Sequence, residues 1–553
     1  MDSWKRDETD ILTRVEGIAS RFGQGEQCAA WHLCDRHDRG SLAYRIVGED
    51  MDYVDLSYGE LRSASQRLAA GFRAMGLGEG DRIATLMGKS RDYLVSLMAI
   101  WRIGAVHLPL FTAFAPAAIA YRLASSAARL VICDSDQMTK LEPGIDMPAD
   151  RDWSVATTGK CKPEIRSLEE MSIDEPFPPE AAHLPADAPL IHIFTSGTTG
   201  KPKGLTVPIR ALAAIQTYME LALNVTSQDV YWCAADPGWA YGLYYGVVGS
   251  FLTGTTSILL EGGFSPARTL AVLERERVTN FAAAPTVYRA MRASGEVPTH
   301  PLALRHASSA GEPLTPDVND WARDVLGVEV HDHYGQTETG MLINNHHHPS
   351  LARPLVSGSM GVAMPGWTAA ILGDKSDEQA AIGEVGRVAI LLAASPLAWF
   401  GGYIGAEDRT AERFTGDRTY YLTGDVGRQD EDGNFHFSAR DDDVILMAGY
   451  RIGPGEIENI IAAHPAVVEC GVTAIPDPIR GEVMEAFVVL RDGITGDEAL
   501  ATDIQQWVKT RYAAHAFPRA VHFTGSLPKT PSGKLQRIVL KQRRIEQLAN
   551  ATS

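Results

Sequence analysis

Hydroxyls, glycines and lysines crowd one ten-residue stretch: Thr195-Ser196-Gly197-Thr198-Thr199-Gly200-Lys201-Pro202-Lys203-Gly204. Glycines let backbone N–H groups curl toward an anion, and hydroxyl and ammonium groups add further donors. Such a loop grips phosphate. It is not a Walker A loop, because G-x-x-x-x-G-K-[ST] cannot be placed on it. The apolar run Leu190-Ile191-His192-Ile193-Phe194 precedes it and reads as a buried strand.

A second group is Asp332-His333-Tyr334-Gly335-Gln336-Thr337-Glu338-Thr339-Gly340, read as following a strand at Val328-Glu329-Val330. Ligands gather at the C-terminal ends of strands in open α/β sheets. Tyr334 offers a flat ring for stacking on a base. Thr337 can donate to a phosphate oxygen, and Glu338 is a hard oxygen ligand for a divalent cation such as Mg²⁺. Between them, Ser309-Ala310-Gly311-Glu312-Pro313 forms a turn that can offer backbone groups to a base edge. Tyr421-Leu422-Thr423-Gly424-Asp425 places a carboxylate after a short strand, where it can accept ribose hydroxyls.

The supporting elements alternate. Ser57 and Glu60 form a capping box opening a helix whose apolar face is Leu61, Leu68, Phe72 and Met75, with Gly76 and Gly78 at its end. Arg82–Met87, Leu130–Asp134 and Ser257–Leu260 read as strands near helical patterns. This alternation predicts doubly wound α/β architecture. With 553 residues, more than one core is expected. The texture changes near Arg440-Asp441-Asp442-Asp443 to a small α+β segment, so the expected domains are 1–440 and 441–553. The segment carries strands at Val472–Ile475, Ala486–Leu490 and Val521–Phe523, and a helical stripe of Ile504, Trp507, Val508 and Tyr512.

These motifs, in this order and over nearly the whole chain, resemble the adenylate-forming superfamily: acyl-CoA synthetases, peptide-synthetase adenylation domains and firefly-type luciferases. The resemblance is nearest to short- and medium-chain acyl-CoA synthetases. It implies an α/β fold with a large N-terminal domain of doubly wound subdomains plus a small β-barrel-like part, then a small mobile α+β C-terminal domain. It implies that Thr195 to Lys201 and Lys203 hold nucleotide phosphates. Gly311, Glu312 and Pro313, with Asp332, His333, Tyr334, Gly335 and Gln336, would surround adenine. Thr337 would meet the α-phosphate, Glu338 the Mg²⁺ that accompanies ATP, and Asp425 and Arg440 the ribose. Asp442 resembles the hinge of the small domain. Arg451 resembles an arginine that meets the adenylate.

Pro528-Lys529-Thr530-Pro531-Ser532-Gly533-Lys534 resembles the family's catalytic-lysine motif, making Lys534 the expected adenylation lysine. Ala448, Gly449 and Tyr450 resemble a pantetheine-lining segment, and Arg480 a residue that meets coenzyme A. Trp239, Ala240, Tyr241, Ala310 and Gly335 are the expected acyl-pocket lining. Acetyl-CoA synthetases carry tryptophan at the position of Gly335, so the resemblance implies an acid larger than acetate: short to medium, branched or aromatic.

The implied reaction uses ATP, Mg²⁺ and coenzyme A to convert a carboxylic acid into an acyl-adenylate and then a thioester. The sequence given ends sixteen residues after Arg537, which favours a stand-alone synthetase over a module with its own carrier. Delivery to a separate carrier protein, or a non-catalytic adenylate-binding role, stay as alternatives. The intact Lys203, Glu338 and Lys534 weigh against the last.

A net charge of −18 argues against nucleic acid or an anionic membrane surface as partner. The 45% hydrophobic content is that of an ordinary globular protein, and no apolar run is long enough to span a bilayer. The six cysteines are scattered with no C-x-x-C, and the first residues lack an apolar signal core, so a cytoplasmic protein with reduced thiols is expected. A homo-oligomer is compatible with all of this. His346, His347 and His348 are adjacent and cannot all face one ion, so they are expected not to form a metal site.

Overall fold

The computed structural model describes residues 3–552 apart from 160–164, 175–179, 196–201, 441–444, 448–449, 453, 478–480, 512–516 and 531–534. Among the described residues a seven-stranded sheet runs in the order Lys203–Pro208, Pro189–Thr195, Val106–Pro109, Arg82–Leu86, Ala128–Cys133, Ser154–Thr157, Arg166–Ser167. It is parallel except where Lys203–Pro208 folds back on Pro189–Thr195. A nine-stranded sheet places Val330–Gln336, His306–Ala310 and Asn280–Ala283 side by side and parallel. Gly340–Asn344 closes an antiparallel hairpin onto Val330–Gln336. Buried crossovers such as the helix Arg91–Arg102 cover the sheets, as doubly wound folds require.

Local chemistry explains individual elements. Ser57 accepts from the Glu60 N–H while Glu60 accepts from the Ser57 N–H, so the helix Tyr58–Ala74 begins there. Leu61, Leu68 and Phe72 point into the core. Met75 caps the helix and Gly76 follows at φ +74°, a conformation glycine adopts without strain.

A four-stranded antiparallel sheet follows: Ala369–Leu372, Gly386–Leu391, Tyr420–Gln429 and Phe435–Arg440. The smaller C-terminal domain has its own sheet, with Ile445–Met447 and Val467–Asp477 antiparallel to Gly481–Leu490 and Ala520–Phe523 parallel to it. Its separate core includes Ile445, Ile457, Val472, Met484, Ile504 and Val508. No helix among the described residues is long and apolar enough to cross a membrane.

Two strand boundaries differ from the sequence reading. The strand expected to stop at Val330 instead begins there and runs to Gln336, because Gly340–Asn344 supplies an antiparallel partner that propensity cannot reveal. Asp425 lies inside the ten-residue strand Tyr420–Gln429 rather than after a short one, opposite Arg440 in register.

Candidate active site

The strand Pro189–Thr195 and its partner Lys203–Pro208 bring Thr195 opposite Lys203, so the base of the glycine-rich loop is a hairpin stem. Ser196, Gly197, Thr198, Thr199, Gly200 and Lys201 lie outside the described residues. Tyr121 donates to the Pro202 carbonyl at 3.2 Å. The Lys203 ammonium sits over the Tyr403 ring, 4.8 Å from its centroid. Burial, with Arg413 and Arg409 nearby, holds its pKa below the ordinary lysine value.

Tyr403 links this lysine to the carboxylate expected to serve the metal. Its hydroxyl donates to Glu338 Oε1 at 2.6 Å, and Glu338 is buried. Arg413 Nε donates to the Tyr403 oxygen at 3.2 Å, and its Nη1 donates to the Thr423 carbonyl at 2.8 Å. Trp399 Nε1 donates to the Thr339 carbonyl at 3.2 Å. Sequence spacing gave no signal for Tyr403 or Arg413. Only the fold brings them beside Glu338.

A second hub joins it. Tyr334 donates to Asp425 Oδ2 at 2.5 Å, and Gln336 Nε2 donates to the same oxygen at 2.7 Å and to the Thr423 carbonyl at 2.8 Å. Tyr421 donates to Gln336 Oε1 at 2.9 Å. The expected base-stacking tyrosine and the expected ribose carboxylate are therefore neighbours, although 91 residues separate them. Arg440 lies opposite Asp425 along the strand pair.

Gly311 follows the strand His306–Ala310 at φ +101°, which turns the chain through Glu312 and Pro313 before the helix Pro316–Val325. Arg289 pairs with Glu312. Asp332 accepts from Ser309 Oγ at 3.0 Å and from the Leu314 N–H at 3.3 Å. Burial pushes its carboxyl up to about 7.

Two of the expected residues are held closely by their neighbours. His333 is 2% exposed, with Nε2 2.9 Å from the Asn345 carbonyl and Nδ1 2.7 Å from the Tyr218 hydroxyl. Both of its ring nitrogens are engaged inside the protein. Gly335 is a glycine for clearance. A Cβ there would lie 2.2 Å from the Gly340 carbonyl oxygen and 2.5 Å from Met341 Cα. The hairpin bulges between Tyr334 and Gly335 at this close approach.

The expected acyl-pocket segment is aromatic. Trp239 packs on Phe111 and Phe114, with centroids 5.2 and 5.7 Å away. Ala240 opens a helical run, Ala240–Leu243, Tyr244–Val248, Gly249–Thr253, whose middle is π-helical, a form frequent at functional sites. Three tyrosines of this run are hydrogen-bonded to its surroundings, two of them to the motif and the residue after it. Tyr241 meets Tyr218 at 3.0 Å, Tyr244 donates to the Thr337 carbonyl at 3.0 Å, and Tyr245 accepts from the Met341 N–H at 2.7 Å. Ala310, 4% exposed, lies beside His333 in register.

Asp442, Gly449, Arg480 and Lys534 lie outside the described residues. Of Tyr450 and Arg451 the backbone is described: they pair with Met447 and Leu446 in the small domain's edge hairpin. His347 stacks between His331 and His306, with centroids 3.7 and 4.1 Å apart, and donates to or accepts from Ser308 Oγ at 3.0 Å.

The family model described as AMP-binding enzyme matches residues 34–401, and that of the AMP-binding enzyme C-terminal domain matches 456–534. The chain belongs to the AMP-binding enzyme family. Among its relatives, this AMP-binding enzyme is 33% identical over 536 residues to acetyl-coenzyme A synthetase of Bacillus subtilis, covering 94% of this chain and 90% of that one. It is 33% identical over 508 residues to human mitochondrial acyl-coenzyme A synthetase ACSM3, covering 90% and 84%. An acyl-CoA synthetase structure from Brucella canis matches with a TM-score of 0.74 at 38% identity, covering 97% of this chain and 98% of that one. A benzoate CoA ligase from Burkholderia xenovorans matches with a TM-score of 0.82 at 26% identity, covering 93% and 100%. This AMP-binding enzyme is accordingly an acid–thiol ligase of the ATP-dependent, adenylate-forming kind.

Proposed function

We propose that this enzyme joins coenzyme A to a carboxylic acid larger than acetate, of short to medium length, branched or aromatic, through an acyl-adenylate. The reading is supported most by one juxtaposition: Lys203 at the stem of the phosphate loop, over the ring of Tyr403, whose hydroxyl holds Glu338. A cation and a carboxylate thus share one tyrosine. The Tyr334–Asp425 pair adds a ring and an acidic group, joined to it through the Thr423 carbonyl.

A carboxylate is a poor acyl donor because an oxide-like oxygen leaves badly. Attack of its oxygen on the α-phosphorus of ATP, with loss of pyrophosphate, converts that oxygen into part of AMP, a far better leaving group. Negative charge builds on the phosphate in this step. Thr337, Lys534 and the loop donors are the groups aimed at it. Glu338 fits Mg²⁺: it is a buried hard-oxygen donor with one oxygen fixed by Tyr403. A bound Mg²⁺ would neutralise phosphate charge.

The thiol of coenzyme A then attacks the acyl carbon and AMP leaves. This step needs a thiol channel, to which Gly449, Tyr450 and Arg480 are assigned, and no longer needs Lys534. Residues 441–553 are taken as the unit that rotates about Asp442 to exchange one set for the other, which is gating rather than chemistry. Arg440 and Arg451 would contact the nucleotide in alternate orientations.

For the acid, a tryptophan at residue 335 cannot be built without moving Gly340 and Met341, so this hairpin does not accommodate the side chain that closes the pocket in acetyl-CoA synthetases. Small Ala240 and Ala310 support the same reading. Pyrophosphate release over acids of increasing length, with and without coenzyme A, tests it. Thioester product peaking beyond acetate is expected. Preference for acetate overturns the size assignment, and adenylate without thioester overturns the acceptor.

A further inference from the structure

The hydrogens in the tyrosine–histidine chain behind the acyl segment can be assigned one by one. His333 Nε2 faces the Asn345 carbonyl at 2.9 Å, and a carbonyl only accepts, so Nε2 carries hydrogen. Burial, with His331 and His346 beside it, drives His333 well below the ordinary imidazole range, so the ring is neutral and Nδ1 is bare. Nδ1 therefore accepts from the Tyr218 hydroxyl at 2.7 Å. A hydroxyl has one hydrogen, and Tyr218 has spent it. Across the 3.0 Å contact between the two tyrosines, Tyr241 must then donate. Tyr218 is fully buried, and the Tyr241 ring is held against Tyr245 at 5.1 Å.

Tyr241 thus has no hydrogen left to offer. We infer that the chain Tyr241–Tyr218–His333–Asn345 makes the Tyr241 wall of the acyl pocket an apolar and acceptor-only surface. The enzyme then takes monocarboxylic acids whose tails are apolar or carry a hydroxyl or amino hydrogen, and rejects acids bearing a second carboxylate there. A distal carboxylate needs donors, and the Tyr241 hydroxyl offers it none. The inference rests on the reading of Tyr241 as acyl-pocket lining.

The test uses the full-length enzyme and pyrophosphate release. One set is butanoate, 4-hydroxybutanoate and succinate; the aromatic set is benzoate, 4-hydroxybenzoate and terephthalate. In the wild type the diacid should have kcat/KM at least about a hundredfold below its parent, the scale on which an apolar pocket rejects an analogue that adds one polar group. Tyr218→Phe removes the inward acceptor and frees the Tyr241 hydrogen, so the diacid-to-parent ratio should rise about tenfold. Tyr241→Phe should lower the hydroxyacid-to-parent ratio about threefold to tenfold and leave the diacid rejected.

Ratios in Tyr218→Phe and Tyr241→Phe within about twofold of wild type overturn the wall, as does a wild type that uses diacid and parent equally. Where Tyr218→Phe fails to fold, Tyr241→Phe decides by the hydroxyacid ratio. Pyrophosphate release with unmoved ratios sinks this inference alone. Absence of pyrophosphate with every acid sinks the proposed function.

Discussion

The Tyr403 hydroxyl donates to Glu338 Oε1 at 2.6 Å, and the same tyrosine lies under the Lys203 ammonium. One side chain therefore connects the phosphate-loop stem to the carboxylate assigned to Mg²⁺. Arg413 donates to the same hydroxyl oxygen.

Tyr403→Phe should keep the ring beneath Lys203 and remove the hydrogen bond to Glu338. A hydrogen bond to a charged group contributes about 1.5–3 kcal/mol, so adenylation should slow at least about tenfold. The Mg²⁺ concentration giving half-maximal pyrophosphate exchange should rise as well. A variant with unchanged rate and unchanged Mg²⁺ dependence shows that Tyr403 does not orient Glu338.

Lys534→Ala should cripple acyl-adenylate formation by about a hundredfold to a thousandfold, the range for loss of one preorganised group at developing charge. Thioester formation from supplied acyl-adenylate should be largely spared. Measuring the two half-reactions separately checks this. Equal losses in both would refute the assignment.

Gly335→Ala should destabilise the protein by about 2–3 kcal/mol, because its Cβ meets the Gly340 carbonyl oxygen and only a backbone shift relieves the overlap. Chemical denaturation checks it. A midpoint equal to wild type means that the hairpin opens freely and that residue 335 is not set by clearance. The strain also makes Gly335→Trp a poor probe of pocket size, which is better tested at Tyr241.

Acid should destabilise the fold through its buried imidazoles. Burial lowers His306 to about 4 and His346 to about 3, and holds His347 and His333 well below the ordinary imidazole value. The unfolded chain protonates near pH ~6.5, whereas these folded sites resist until far lower. The unfolded state therefore binds more protons in that window, and stability falls as pH drops from about 6.5 toward 4. Asp332, raised to about 7, acts in the opposite sense, as do the carboxyls of Asp92, Asp134, Asp236 and Glu261, which burial also holds above their ordinary value, but the lowered imidazoles outnumber them. Melting temperature should fall by several degrees between pH ~7.5 and ~5, and His346→Gln should flatten that slope. A melting temperature independent of pH over this range contradicts the account.

Much of the fold was legible because its signals are local. The capping box of Ser57 and Glu60, the apolar face of Leu61, Leu68 and Phe72, and the strand before Thr195 depend on residues a few positions apart. Strand ends were less legible. Whether Val330 starts or ends a strand depends on Gly340–Asn344 folding back, and that is a pairing rather than a propensity.

By itself the sequence determined which chemical groups are present and in what order: the hydroxyl, glycine and lysine loop, the Tyr334–Glu338 motif, Asp425 and Lys534. That order sufficed for the family, because phosphate, base and metal each demand particular residue types. Tertiary structure decided which of them meet. Tyr403 reaches Glu338 across 65 positions, Tyr334 reaches Asp425 across 91, and Tyr218 reaches His333 across 115. It also turned His333 inward and made Gly335 a matter of backbone clearance. Burial, hydrogen direction and steric room depend on elements distant in the chain, and these exist only once the sheets have packed.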